Sequence, residues 1–218
     1  MRRSIVRLIK ALSQKCEFTE PIYEFGALRA RGQENRPDIR TFFPGRKYVG
    51  SDLEKGLGVD VILDLHNIDL PNNSVGSAIV LDVLEHVEFC KRATEEIHRI
   101  LKPGGVVIIV SEMYFPIHAH PSDYWRFTPE GFRSLLAPFQ EIIIGYFGLA
   151  DLPTTVIGIA FKGGAPKDRV EKFRIEVSNW KNHIWYSWQE YITIFLPPIL
   201  FTYLYRLYRI LEIKRHKK

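Results

Sequence analysis

The stretch "GSDLEKGLGVDVILDLHNIDLPNNSVGSAIVLDVLEHV", Gly50 to Val87, decides the fold. Three apolar runs in it end on an aspartate: one closes at Asp52, "VDVILD" closes at Asp64 and "VGSAIVLD" closes at Asp82. Short runs rich in valine and isoleucine, bounded by Gly, Asn and Asp, read as strands. The linker from Leu53 to Gly58 is too short for a crossover helix, which takes about a dozen residues, so it holds one turn at most.

Outward from this stretch the pattern continues. "IYEF" (22–25), "KYVGSD" (47–52), "GVVIIVS" (105–111), "EIIIGYF" (141–147) and "TVIGIAF" (155–161) complete a set of strand-like runs, with helical patterns between them. Lys91 to Leu101 presents Ala93, Ile97, Ile100 and Leu101 on one face and stops at "KPGG". Thr128 is placed to N-cap a helix that starts at Pro129 and runs to Leu136. Ile5, Leu8, Ile9 and Leu12 fall at helical spacing, so residues 1–20 form an amphipathic helix suited to covering a sheet. Alternation of strands and helices means an α/β domain with a mainly parallel sheet, here residues 21–164. Residues 165–218 form an aromatic, basic, helical extension.

The 218 residues carry a net charge of +5, but the basic side chains gather at the ends. Arg2, Arg3, Arg7, Lys10 and Lys15 lie at the start; Arg206, Arg209, Lys214, Arg215, Lys217 and Lys218 lie at the end. The body between them is mildly acidic, which argues against a nucleic-acid-binding face on the domain. Two distant cysteines, Cys16 and Cys90, suggest neither a disulfide framework nor a thiolate metal site and fit a reducing cytoplasm.

In doubly wound sheets the ligand sits at the carboxyl ends of the strands. Gly26 ends the first strand, where it lets backbone approach a ligand. Asp52 ends the second, where a carboxylate can take both hydroxyls of a ribose. Asp64 and Asp82 end the next two, and the three aspartates together frame a pocket for a polar, hydroxyl-bearing molecule.

The stretch quoted above, followed by "EIHRILKPGGVVIIVS" (96–111), resembles the class I S-adenosylmethionine-dependent methyltransferases, in the small-molecule branch with a "LEHV…LKPGG" pattern. The resemblance covers about residues 20–147. It implies a Rossmann-like seven-stranded sheet with an antiparallel last strand, and S-adenosyl-L-methionine as cofactor. It further implies cofactor contacts from Glu24, Gly26, Ala27, Asp52, Leu53, Asp64, Leu65 and Asp82, and places Glu85 and His86 by the reactive face. One departure stands out: the family's first motif carries further glycines where this chain has Leu28 and Ala30. S-adenosylmethionine has no pyrophosphate, so its loop does not need the close anion cradle of a dinucleotide site. The strand-end acids are then expected to do most of the holding.

"FPIHAHPSDYWRFTPEG" (115–131) follows the fifth strand and hangs over the same edge. Its polar and aromatic groups mark a functional loop. His118 or His120 is expected to take the proton of an acceptor hydroxyl, with His86 nearby, and Asp123, Tyr124, Trp125 and Arg126 to orient the acceptor. His-x-His invites a metal, but no third ligand stands at a recognisable spacing, so no metal is expected.

The uncharged run Tyr191–Tyr205 would span about 22 Å as a helix, short of a roughly 30 Å hydrocarbon core. Pro197 and Pro198 interrupt it, so an interfacial segment on an anionic membrane is expected, with the basic tail beside it. The resulting expectation is a methyltransferase at the cytoplasmic membrane face. Its acceptor is a hydroxyl or amine of a small or lipid-linked molecule, with a glycan favoured. The competing expectation is a non-catalytic module that keeps the fold and binds partner proteins.

Overall fold

The computed structural model describes residues 2–29, 37–118, 122–182, 200 and 203–204. Its centre is a seven-stranded sheet: β1 (Ile22–Phe25), β2 (Tyr48–Asp52), β3 (Val61–Ile62), β4 (Val75–Leu81), β5 (Leu101–Glu112), β6 (Glu141–Gly148) and β7 (Pro153–Phe161). The strand order is β3-β2-β1-β4-β5-β7-β6. β1 to β5 run parallel, and β7 lies antiparallel between β5 and β6. The sheet that the resemblance implied is therefore present, reversed last strand included.

Side chains alternate across the sheet because the strand period is two. On one face Ile79, Leu81, Val106, Ile108 and Val110 meet α1 (Arg3–Lys15) and α4 (Lys167–Asn182). Ile5, Leu8, Ile9 and Leu12 are all buried there, as their helical spacing predicts, and each is worth about 1.5–3 kcal/mol. The Trp180 indole N–H of α4 donates to the Ser4 carbonyl at 2.9 Å and ties the two helices together. On the other face Ala78, Val80, Val107 and Ile109 meet α2 (Cys90–Ile100) and α3 (Pro129–Leu135). Thr128 caps α3 as expected, its hydroxyl accepting from Gly131 N at 3.0 Å.

Two differences from the sequence reading have local causes. β3 contains only Val61 and Ile62, because Asp64 leaves the ladder to accept from His66 N at 2.8 Å. "KPGG" stops α2 but itself belongs to β5, where Gly104, at φ +75, donates to the Lys162 carbonyl just past β7. β2 and β3 are joined without any helix, as the short linker between them predicts. Among the described residues no helix is long and apolar enough to cross a membrane. The interfacial segment expected around Tyr191–Tyr205 and the basic tail lie outside the described residues, apart from Leu200, Tyr203 and Leu204.

Candidate active site

The parallel register brings the carboxyl ends of β1, β2, β4 and β5 to one edge. Gly26 turns there at φ +83, and an added Cβ would meet Val83 Cγ2 at 2.1 Å, so only glycine fits between β1 and the segment after β4. Gly26 and Ala27 both donate to the Ser51 carbonyl, at 2.9 and 3.0 Å, which holds the loop against β2. Asp52 completes that attachment. Its Oδ2 accepts from Leu28 N at 3.1 Å and its Oδ1 from Leu53 N at 2.8 Å.

A carboxylate has about four lone-pair sites, so these two amides leave Asp52 with acceptors for the hydroxyls of a ribose. Leu28 lies over the β2–β3 connection, its Cδ1 2.3 Å from where a Gly56 Cβ would stand. Arg29 is ion-paired with Asp38 at 3.5 Å. Glu24 is buried and accepts from the Tyr48 hydroxyl at 2.8 Å, so it braces the inside of the sheet. Leu53 is exposed, Leu65 is packed in the core, and Asp64 holds the His66 ring at 2.9 Å. Thus Gly26, Ala27, Asp52 and Asp82 converge on one edge, whereas the side chains of Glu24 and Leu65 face inward.

Asp82 sits at φ +53, a left-handed conformation that aspartate tolerates better than most residues. Its Oδ1 lies 3.2 Å from Arg2 Nη2, and the same nitrogen lies 3.5 Å from Glu112 Oε1 at the end of β5. Arg2 Nη1 also donates to the Thr154 carbonyl at 3.0 Å. Glu85, fully buried, accepts from the Ser111 hydroxyl at 2.7 Å through Oε2. Its Oε1 and Glu112 Oε2 are buried without a hydrogen-bond partner among the described residues.

Such crowding of acids raises their proton affinity. Burial, then Asp82, pushes the Glu85 carboxyl up to about 7. Burial also pushes Glu112 up to about 8, although Arg2 pulls the other way. Sequence reasoning counted Arg2 only among the basic residues at the start and did not name Glu112. No spacing signal links residues 2, 82 and 112; only the run of strand-ending acids hinted that β5 would supply one more.

The loop after β5 is fastened to the turn after β4. Tyr124 N and Trp125 N donate to the Glu85 carbonyl at 2.7 and 3.2 Å, and the Trp125 indole donates to the Val87 carbonyl at 3.0 Å. Asp123, only 2 % exposed at its side chain, accepts a two-pronged bond from Arg126 at 2.5 and 2.7 Å and the His118 amide at 2.8 Å. Burial works against the Asp123 anion, but the Arg126 and His118 bonds outweigh it and bring its carboxyl down to about 2. Asp123 and Arg126 therefore shape the loop, and Tyr124 and Trp125 present half-exposed rings.

The His86 and His118 rings stand edge to face with centroids 4.9 Å apart. His86 Nδ1 donates to the Ser122 carbonyl at 2.6 Å and His118 Nδ1 to the Pro116 carbonyl at 3.1 Å. Burial lowers the proton affinity of His118, which favours its neutral form. His120 lies outside the described residues. On the α2–α3 side, Phe89, Trp125, Phe127 and Leu135 wall a groove of about 730 Å³ between the start of α2 and α3.

The donor set fits S-adenosylmethionine. Asp52 would hold the ribose, and the Gly26–Ala27 backbone would face the ligand. The acids around Asp82, which already accommodate the Arg2 guanidinium, suit a molecule carrying ammonium and sulfonium charges. When bound, that cofactor supplies an electrophilic methyl group on a positively charged sulfur.

A methyltransferase-domain family model, Methyltransf_11, matches residues 45–109. Among solved structures, a methyltransferase dependent on the same cofactor from Archaeoglobus fulgidus is 16% identical, with a TM-score of 0.54 over 72% of this chain and 94% of that one. The YcgJ protein of Bacillus subtilis is 12% identical, with a TM-score of 0.52 over 74% of this chain and 99% of that one. The CurJ carbon methyltransferase is 13% identical, with a TM-score of 0.50 over 66% of this chain, which spans about half (48%) of its length. At these identities the likeness is one of fold. No curated protein sequence matches the chain. The family match lies on β2 to β5, under a third of the chain, and the strand order around it is complete, so this part of the chain resembles the methyltransferase domain of the Methyltransf_11 model.

Proposed function

We propose that the protein transfers the methyl group of S-adenosylmethionine to a hydroxyl of a small acceptor, a sugar ring free or lipid-linked. The observation that carries this reading is the groove walled by Phe89 and Trp125, the latter on the same loop as His118. Phe89 is 60% exposed and Trp125 46% exposed, and flat aromatic faces suit the C–H faces of a sugar. The thioether leaves as a neutral molecule, so the transfer needs little acid catalysis and in-line positioning supplies most of the rate.

The uncharged run and basic tail at the C-terminal end support an acceptor met at an anionic membrane. Pelleting with anionic liposomes, lost in high salt and on truncation after Glu190, is the expected result. The central test is incubation of the protein with methyl-labelled cofactor and candidate glycans or glycolipids. Label on a sugar oxygen supports the reading, whereas label on nitrogen or carbon overturns the acceptor assignment. Calorimetry with S-adenosylmethionine separates enzyme from non-catalytic module, since a module that has lost the cofactor gives no heat.

A further inference from the structure

We propose that Glu85, His86 and His118 form a binding site for a divalent transition-metal ion. One ligand atom of each lies within 4.8 Å of the other two. Ligands at about 2.1 Å from a common ion stand up to roughly 4.2 Å apart, so small side-chain rotations close the site.

Three observations carry the inference beyond proximity. Glu85 is fully buried and its Oε1 has no hydrogen-bond partner among the described residues, a cost that a cation would remove. Both imidazoles are held through Nδ1 by backbone carbonyls, His86 by Ser122 and His118 by Pro116. A carbonyl only accepts, so each Nδ1 carries the hydrogen and each Nε2 carries the lone pair, the arrangement that orients metal-ligating histidines. The Glu85 Oε2–Ser111 bond fixes the carboxylate in the same way.

The cations nearby do not fill this role. Arg126 is engaged by Asp123, and Arg2 by Asp82 and Glu112. Two histidines and one carboxylate with remaining positions open suit Zn²⁺, Fe²⁺ or Co²⁺ rather than Mg²⁺ or Ca²⁺. Sequence spacing did not reveal the set, because Glu85 and His86 lie on the turn after β4 and His118 lies on the loop after β5.

The open positions give the ion a role that rests on the hydroxyl-acceptor reading above. An acceptor oxygen bound to the metal releases its proton to solvent near neutral pH and attacks the methyl carbon as the carbon–sulfur bond breaks. The ion would then do the work that the sequence reading assigned to an imidazole base.

Binding is measured on chelator-stripped full-length protein without cofactor or acceptor, by calorimetry with Zn²⁺ and by the visible absorption of Co²⁺. A Kd at or below about 1 μM is expected, weakened tenfold or more in His118→Ala and Glu85→Gln and unchanged in His66→Ala, which removes a half-buried histidine outside the cluster. Circular dichroism verifies folding. If Glu85→Gln does not fold, His118→Ala, on a half-buried loop residue, decides alone. Absence of Zn²⁺ binding, or binding undiminished in His118→Ala, overturns the inference. Cofactor binding on the same stripped protein is scored separately, so failure of the metal site leaves the methyltransferase reading standing, and the reverse holds too.

Discussion

Arg2 Nη2 lies 3.2 Å from Asp82 Oδ1, joining the residue before α1 to the residue that follows β4. The contact brings a cation into an edge that otherwise gathers Asp82, Glu85 and Glu112. It also fixes the entrance of the helix covering that face of the sheet.

Replacing Arg2 with alanine removes this cation and its bond to the Thr154 carbonyl. A loss of about 1.5–3 kcal/mol is expected, the range for hydrogen bonds to charged groups. Urea unfolding at pH 7.5 measures it, and an unchanged midpoint would show that solvent replaces Arg2 without cost.

Glu112 links stability to pH. Burial raises its folded-state affinity for a proton, from an ordinary value of 4.5 to about 8, so the folded protein holds that proton where the unfolded chain has released it. Stability contributed by this group is therefore present at low pH and lost between about pH 4.5 and 8. Glu112→Gln should stabilise the protein at pH 8.5 relative to pH 5.5 in chelator-containing buffer, as read by thermal melts. A pH profile identical to that of the unmutated protein would contradict the burial argument.

Burial pushes both thiols, Cys16 and Cys90, up to about 12. The thiolate is the reactive form, so neither should be alkylated appreciably by iodoacetamide at pH 8 in the native state. Both should react once the chain is unfolded in denaturant. Rapid native labelling of Cys90, located by mass spectrometry, would mean that the start of α2 opens.

Asp52 is expected to act on the cofactor and on its own loop. Asp52→Asn keeps an oxygen for one backbone amide but loses the charge that the ribose hydroxyls and Leu28 N share. S-adenosylmethionine affinity should fall about tenfold to a hundredfold, or 1.4–2.8 kcal/mol, while the melting temperature drops modestly. Calorimetry with equal affinities for the two proteins would remove Asp52 from the site.

Much of this protein was legible before any coordinates. Strand ends at Asp52 and Asp82, the buried stripe Ile5-Leu8-Ile9-Leu12, the Thr128 cap and the reversed last strand depend on local periodicity, turn chemistry or family pattern, all of which neighbouring residues carry. β3 was overestimated because Asp64 prefers its own turn to the ladder. In the same way Glu24 belongs to the inside of the sheet, a placement set by Tyr48 across the strands.

What the chain alone determined is thus the succession of strands and helices and the acidic residues that close the strands at one edge. Only the tertiary structure decided that Arg2 reaches Asp82 and Glu112, and that Glu85, His86 and His118 meet. These partners are brought together by parallel crossovers and by a loop pinned to the Glu85 carbonyl. Contacts between residues so far apart in the chain depend on packing of the whole sheet, which no local spacing records.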